Sequence, residues 1–198
     1  MRQFPWLLSL GLALFTSSLV FGNGCQNRPQ QGAAEPDYAP TATVKDLMLS
    51  LIDPSADVVW EAVTTVVTDQ GIVEKAPKTE EEWIAARHGA LRLVEATNLL
   101  MVPGRHVARP GEKSEAPGVE LEPEEMDALI SKDIPGWIAR AKSLREAGLE
   151  ALQAIDAKDA PKLFEVGERI ELACENCHSN YWYPNQVLPP GYGPAKTQ

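Results

Sequence analysis

Apolar residues recur every three or four positions over most of the chain from Val44 to Cys177, the spacing that lays one stripe along a helix. From Thr43 to about Gln70 they fall at Val44, Leu47, Met48, Leu51, Ile52, Val58, Val59, Ala62, Val63 and Val66. The run "DPSAD" interrupts this stripe. Asp53 can cap a new turn there, with Pro54 in its first position, so a kink or restart is expected. The valines and threonines that follow are β-prone, but an alternation of period two is missing. Thr79 opens a second helix, with Glu82 in capping-box spacing. Its stripe is Trp83, Ile84, Ala90, Leu91, Val94, Leu99 and Met101, and Pro103 and Gly104 end it. Residues 103–121 form a Gly/Pro/Glu-rich connection, and a short helical turn can begin at Pro123. Asp133 can cap a third helix, with Pro135 in its first turn and Ile134, Trp137, Ala141, Leu144, Gly148, Leu152 and Ile155 on one face. Asp159 and Pro161 start a fourth, with Leu163, Val166, Ile170, Ala173 and Cys177 inward. No strand pattern with turn chemistry stands out. The expected fold is all-α: an antiparallel up-down-up-down four-helix bundle with one long connection.

The 198 residues suffice for one domain with a real core. Acidic residues outnumber basic ones 28 to 18, a net charge of −10 that argues against a nucleic-acid partner. Residues 1–24 read as a signal peptide: Arg2, an apolar run from Trp6 to Phe21, then small residues. The run is too short and too weakly flanked for a convincing membrane span. Export to the periplasm or beyond is therefore expected. Cys25 ends this leader in "FGNGC", which resembles a bacterial lipoprotein box, although Gly22 replaces the usual large aliphatic residue. Cys25 is thus a candidate for lipidation and membrane attachment through several acyl chains. The alternative is cleavage after Gly22 or Gly24 and a free thiol. Residues 25–42 read as a flexible tether, 43–183 as the helical domain and 184–198 as an extended Pro/Gly-rich tail.

The chemistry concentrates in "ELACENCHSNYWYP". Cys174 and Cys177, three apart on a helix, present their sulfurs on nearly the same side. Two thioether bonds to one porphyrin need that separation, and His178 can then offer a ring nitrogen to the iron. C-x-x-C-H is the attachment sequence of c-type haem, and export suits such attachment. A structural zinc site wants four ligands, and only His88 and His106 remain beyond this cluster and Cys25. A thiol–disulfide enzyme places its pair at the start of a helix after a strand, whereas this pair closes a helix. A structural disulfide leaves His178 unexplained.

A four-helix chain with one C-x-x-C-H near its C-terminus resembles the class II c-type cytochromes, the cytochrome c′ and cytochrome c-556 group. The resemblance covers about residues 43–183. It implies one covalent haem c on Cys174 and Cys177, with His178 as proximal iron ligand. In c-556-like members a methionine early in the first helix is the distal ligand, and Met48 matches that position. It implies a homodimer as well, since members often pair through helices one and two. The long connection and the aromatic tail exceed the family's minimal pattern.

Bundle topology also brings the end of helix two to the haem end, so Met101 and Met126 are candidates beside Met48; both are better read as packing. Methionine is a common gap-filler in cores, and Met48 itself has that alternative. His88 reads as a surface or core histidine, and His106 as a solvent-exposed loop residue. Trp60, Trp83 and Trp137 read as core. Tyr181, Trp182 and Tyr183 are expected to cover the haem edge or pin the tail. Arg87, Arg105 and Lys45 are candidate partners for haem propionates. The acidic runs "TEEEW" and "EPEEM" suit helix N-termini. The expected function is single-electron transfer between redox partner proteins through a His/Met-ligated haem, with no enzyme activity. The alternatives are a five-coordinate cytochrome c′-like protein that binds NO or CO, and a haem-free helical interaction module.

Overall fold

The computed structural model describes residues 39–187. The expected leader, Cys25, most of the tether and most of the tail lie outside them. Within this range the chain forms α1 (Val44–Leu47), a π-helical turn (Met48–Ile52), α2 (Asp53–Ala62), β1 (Thr64–Thr68), β2 (Gly71–Lys75), α3 (Glu80–Leu100), α4 (Pro123–Lys132), α5 (Ile134–Asp156) and α6 (Ala160–Tyr181). The helix starts are set by side chains that satisfy orphan N–H groups. Thr79 and Glu82 form the expected capping box, Asp133 accepts from the Gly136 N–H at 3.0 Å, and Asp159 accepts from the Lys162 N–H at 3.0 Å. Thr43 and Asp46 form a further box at α1.

Four long helical segments make the bundle. α3 packs against both α2 and α5, α5 packs against α6, and α6 returns to α2, where the Trp60 indole donates to the Gly167 carbonyl at 3.1 Å. Neighbours run antiparallel. The Trp137 indole at the start of α5 donates to the Leu100 carbonyl at the end of α3, 2.9 Å away. At the other end Arg87 of α3 pairs with Asp156 of α5 at 2.8 Å. The core is built of Val59, Ala90, Leu93, Ala151, Leu163, Val166 and Ile170, none accessible to solvent. α3 and α5 approach closely at Gly148, where an added Cβ would stand 2.8 Å from a Val94 methyl.

The first helix departs from expectation at two points. Asp53 does not cap a restart: its N–H reaches back to the Met48 carbonyl, and the chain stays helical through a widened turn. Pro54 explains the widening, because it has no N–H for the Ser50 carbonyl and its ring would crowd that group in a regular α-turn. The helix also ends at Ala62, not near Gln70. Residues 64–75 form a two-stranded antiparallel hairpin, with Thr68 opposite Gly71, where the sequence had shown no strand. Gly71 takes φ +120°, which a side chain would strain. All ten strand residues but Thr64 are exposed, so no face is buried to impose the alternation by which strands are recognised. Ile134 and Leu172, apolar in sequence, face solvent as well.

Leu93→Ala is expected to cost about 2–5 kcal/mol, because it empties a site sealed on every side. Leu172→Ala should cost less than about 0.5 kcal/mol. Denaturant midpoints of the two variants check this contrast.

Candidate functional site

The inward stripe of α6 carries the Cys-x-x-Cys-His sequence into the bundle. Leu163, Val166, Ile170 and Ala173 are buried, and Cys174 and Cys177 continue their face at the edge of the core. Beside them lies a cavity of about 210 Å³. Its wall takes Val44, Met48, Leu49 and Asp53 from the first helix, Val107 to Glu120 in part from the long connection, and Met126 and Ile130 from α4. Trp137, Cys177, His178, Tyr181 and Trp182 complete it. A smaller recess of about 20 Å³ adds Cys174, Leu100, Arg140 and Leu144 and shares Met48, Asp53, Trp137, Cys177 and His178. Met48, Cys177 and His178 are thus brought together at one end of the bundle, as the up-down topology requires.

Aromatic packing sets the geometry of this end. Trp137 meets Tyr181 edge to face at 5.4 Å, the Tyr181 hydroxyl donates to Asp133 at 3.0 Å, and the Arg140 guanidinium lies 5.2 Å over the Tyr181 ring. The His178 ring meets Trp182 at 5.0 Å and 89°, and Tyr183 at 5.8 Å and 63°. Trp182 and Tyr183 both donate their backbone N–H to the His178 carbonyl, closing α6. The Leu121 N–H donates to the Trp182 carbonyl at 2.8 Å, tying the long connection to the same point. That connection is docked at its other end too: Val44 and Lys45 donate to the carbonyls of His106 and Val107 at 2.9 Å each. The loop thereby satisfies two orphan donors of α1 and becomes a wall of the cavity.

Cys174 and Cys177 are free thiols. Burial pushes Cys174 up to about 12, helped by Glu171 and Asp53. Burial pushes Cys177 up to about 11, with Arg140 opposing. A reactive redox thiol is instead held low, near a helix N-terminus; these sit at a C-terminus and stay protonated. Among the described residues no three His, Cys, Asp or Glu side chains converge as a metal-ion site. Partial burial raises the Asp53 carboxyl while His178 opposes the shift. Two neutral thiols one helical turn apart, an adjacent imidazole and an apolar cavity fit a covalently attached porphyrin.

The remaining candidates divide. Met126 is buried but lines the cavity; Met101 packs at the end of α3, outside the lining. His88 is exposed. His106 is exposed and bonds Asp127 through Nδ1 at 3.0 Å. Of the cations considered for propionates, Lys45 lines the cavity and pairs with Glu115 at 2.8 Å. Arg105 is committed to the carbonyls of Leu99 and Ala42, and Arg87 serves the opposite end. Lys113, a second lysine of the wall, was not singled out from sequence. Trp137 is at once core, as expected, and cavity wall.

No family model matches the chain, and no curated protein matches it. Solved structures do. A cytochrome c′ is 16% identical, with a TM-score of 0.44, over 71% of this chain and 98% of that one. Cytochrome c′ from Rhodobacter Spheriodes is 18% identical, with a TM-score of 0.42, over 71% and 89%. The nitric oxide complex of a variant cytochrome c prime from Alcaligenes xylosoxidans is 17% identical, with a TM-score of 0.44, over 72% and 97%. At such identities the likeness concerns the helical fold alone.

In protein made without haem, burial of the neutral thiols adds stability that is whole below the ordinary thiol value of 9.0 and is lost as pH rises through about 11 and about 12. Alkylation of the peptide carrying Cys174 and Cys177, followed by mass mapping against pH, should rise only in that upper range. Rapid labelling below 9.0 would contradict the burial.

Proposed function

We propose that this chain is an exported monohaem c-type cytochrome, an electron or small-gas handling protein with no enzyme activity of its own. The observation that carries this is the convergence of Cys177, His178 and Met48 on one largely apolar cavity. In this reading Cys174 and Cys177 hold the porphyrin by thioether bonds and His178 binds its iron. When bound, the haem supplies one-electron chemistry between Fe(III) and Fe(II). The chain's own residues orient it and keep water away. Trp137 and Tyr181 wall one side, the docked connection closes another, and Trp182 and Tyr183 fix the plane of the His178 ring. Lys45 and Lys113 are the cations of this wall to which acidic groups on the macrocycle edge can turn.

The same lining is compatible with two roles for Met48. With Met48 as thioether ligand, the bound haem would have a raised reduction potential and would serve electron transfer between partner proteins. The placement of Met48 in the wall of both recesses supports this form. With Met48 only packing, the position is open to an uncharged diatomic such as NO or CO. The apolar residues that share the cavity wall with Met48, namely Val44, Val107, Met126 and Ile130, support that form. One of the similar solved structures is a nitric oxide complex. A lipid anchor at Cys25 and pairing of two copies through the first two helices belong to this proposal and rest on sequence alone.

Visible spectra of both oxidation states separate the forms. Met48 ligation gives low-spin haem with a weak far-red sulfur-to-iron band, and Met48→Ala turns it into high-spin haem that takes carbon monoxide. A parent already high-spin and reactive to carbon monoxide, with Met48→Ala unchanged, assigns the protein to the gas-binding form.

A further inference from the structure

Glu175, between the two cysteines, is absorbed by neither form. It lies one turn before His178 on α6, and its Oε1 stands 3.6 Å from His178 Nδ1. The Tyr183 hydroxyl donates to the same carboxylate, 2.7 Å from Oε1 and 2.8 Å from Oε2. Tyr183 is itself fixed by its N–H bond to the His178 carbonyl at 3.0 Å. Both contacts have the Tyr183 hydroxyl as donor and the carboxylate as acceptor. The imidazole is flanked by two aromatic rings and faces a carboxylate with its Nδ1 edge, which leaves Nε2 for the iron. At 3.6 Å the carboxylate acts on the Nδ1 edge through charge, a contact longer than the ordinary N–H···O distance of about 2.9 Å.

We propose that Glu175, restrained by Tyr183, is a positioning residue for His178: its carboxylate draws on the Nδ1 proton and so makes Nε2 a stronger donor to iron. This rests on the haem reading above. A carboxylate on the outer nitrogen of a metal-bound histidine fixes its tautomer and raises its basicity. A more basic imidazole favours Fe(III) over Fe(II) and lowers the reduction potential. Tyr183 opposes this, because its hydroxyl draws charge from the same carboxylate. The two side chains therefore act with opposite signs, which a merely structural role would not produce.

The test is potentiometric titration of full-length protein matured in a host that attaches haem. Glu175→Gln should raise the potential, since the amide is a weaker acceptor. Tyr183→Phe should lower it, since the carboxylate is released to His178. Glu171→Gln, which removes an equal charge one turn back, should shift it less than Glu175→Gln. A coloured parent with the same potential as Glu175→Gln, shifts of one sign in both variants, or an equal shift in Glu171→Gln each overturn the role of Glu175 and leave the haem intact. A colourless parent overturns the haem reading and this inference with it.

Discussion

The rotation of α6 about its own axis governs everything at the site. Successive helical residues turn by a fixed angle, so burying Leu163, Val166 and Ile170 completely leaves Cys174, Cys177 and His178 no freedom of direction. Turning the helix to expose the thiols would bring the apolar stripe into water, at about 25 cal/mol per Å² of apolar surface. The core thus aims the chemistry. The helix end adds the second constraint. Trp182 and Tyr183 bond back to the His178 carbonyl and place their rings on its imidazole, so the residues that stop the helix also orient its last functional side chain.

The other wall of the cavity comes from elements with no regular periodicity. The connection after α3 is held by backbone bonds to the start of α1 and the end of α6. These bonds satisfy two N–H donors at the start of α1 and a carbonyl at the end of α6 that would otherwise stay open, so the loop is docked without an apolar stripe of its own. Surface pairs such as Lys45 with Glu115 and Arg109 with Asp46 decorate this seam, but solvent screens such exposed pairs and they contribute little. The buried apolar side chains Val107 and Met126 do more to hold it.

What could be read from the sequence follows from these physics. Helix starts were legible because a cap is a local event: Thr79 with Glu82, Asp133 and Asp159 act within three residues of themselves. The Cys-Glu-Asn-Cys-His cluster was legible because its spacing matches one helical turn. The hairpin after Ala62 was not, since both its faces meet solvent and burial imposed no alternation. Nor was the π-helical turn before Pro54, where continuing the helix with one widened turn replaced the expected cap at Asp53. The wall role of Lys113 and the Glu175–Tyr183 contact depend on how the loop and the helix end fold back, which no periodicity encodes. The place of Met48 was legible from the bundle topology, which sets the start of the first helix beside the end of the last, and Met48 lines both recesses there.

The central claim is a covalent one: a macrocycle joined to Cys174 and Cys177. The most direct measurement is the intact mass of the matured protein after denaturation, beside that of a variant with both cysteines changed to alanine. The account predicts that the parent exceeds its polypeptide by the mass of one haem and that the variant carries none. A denatured parent that weighs no more than its polypeptide would contradict it.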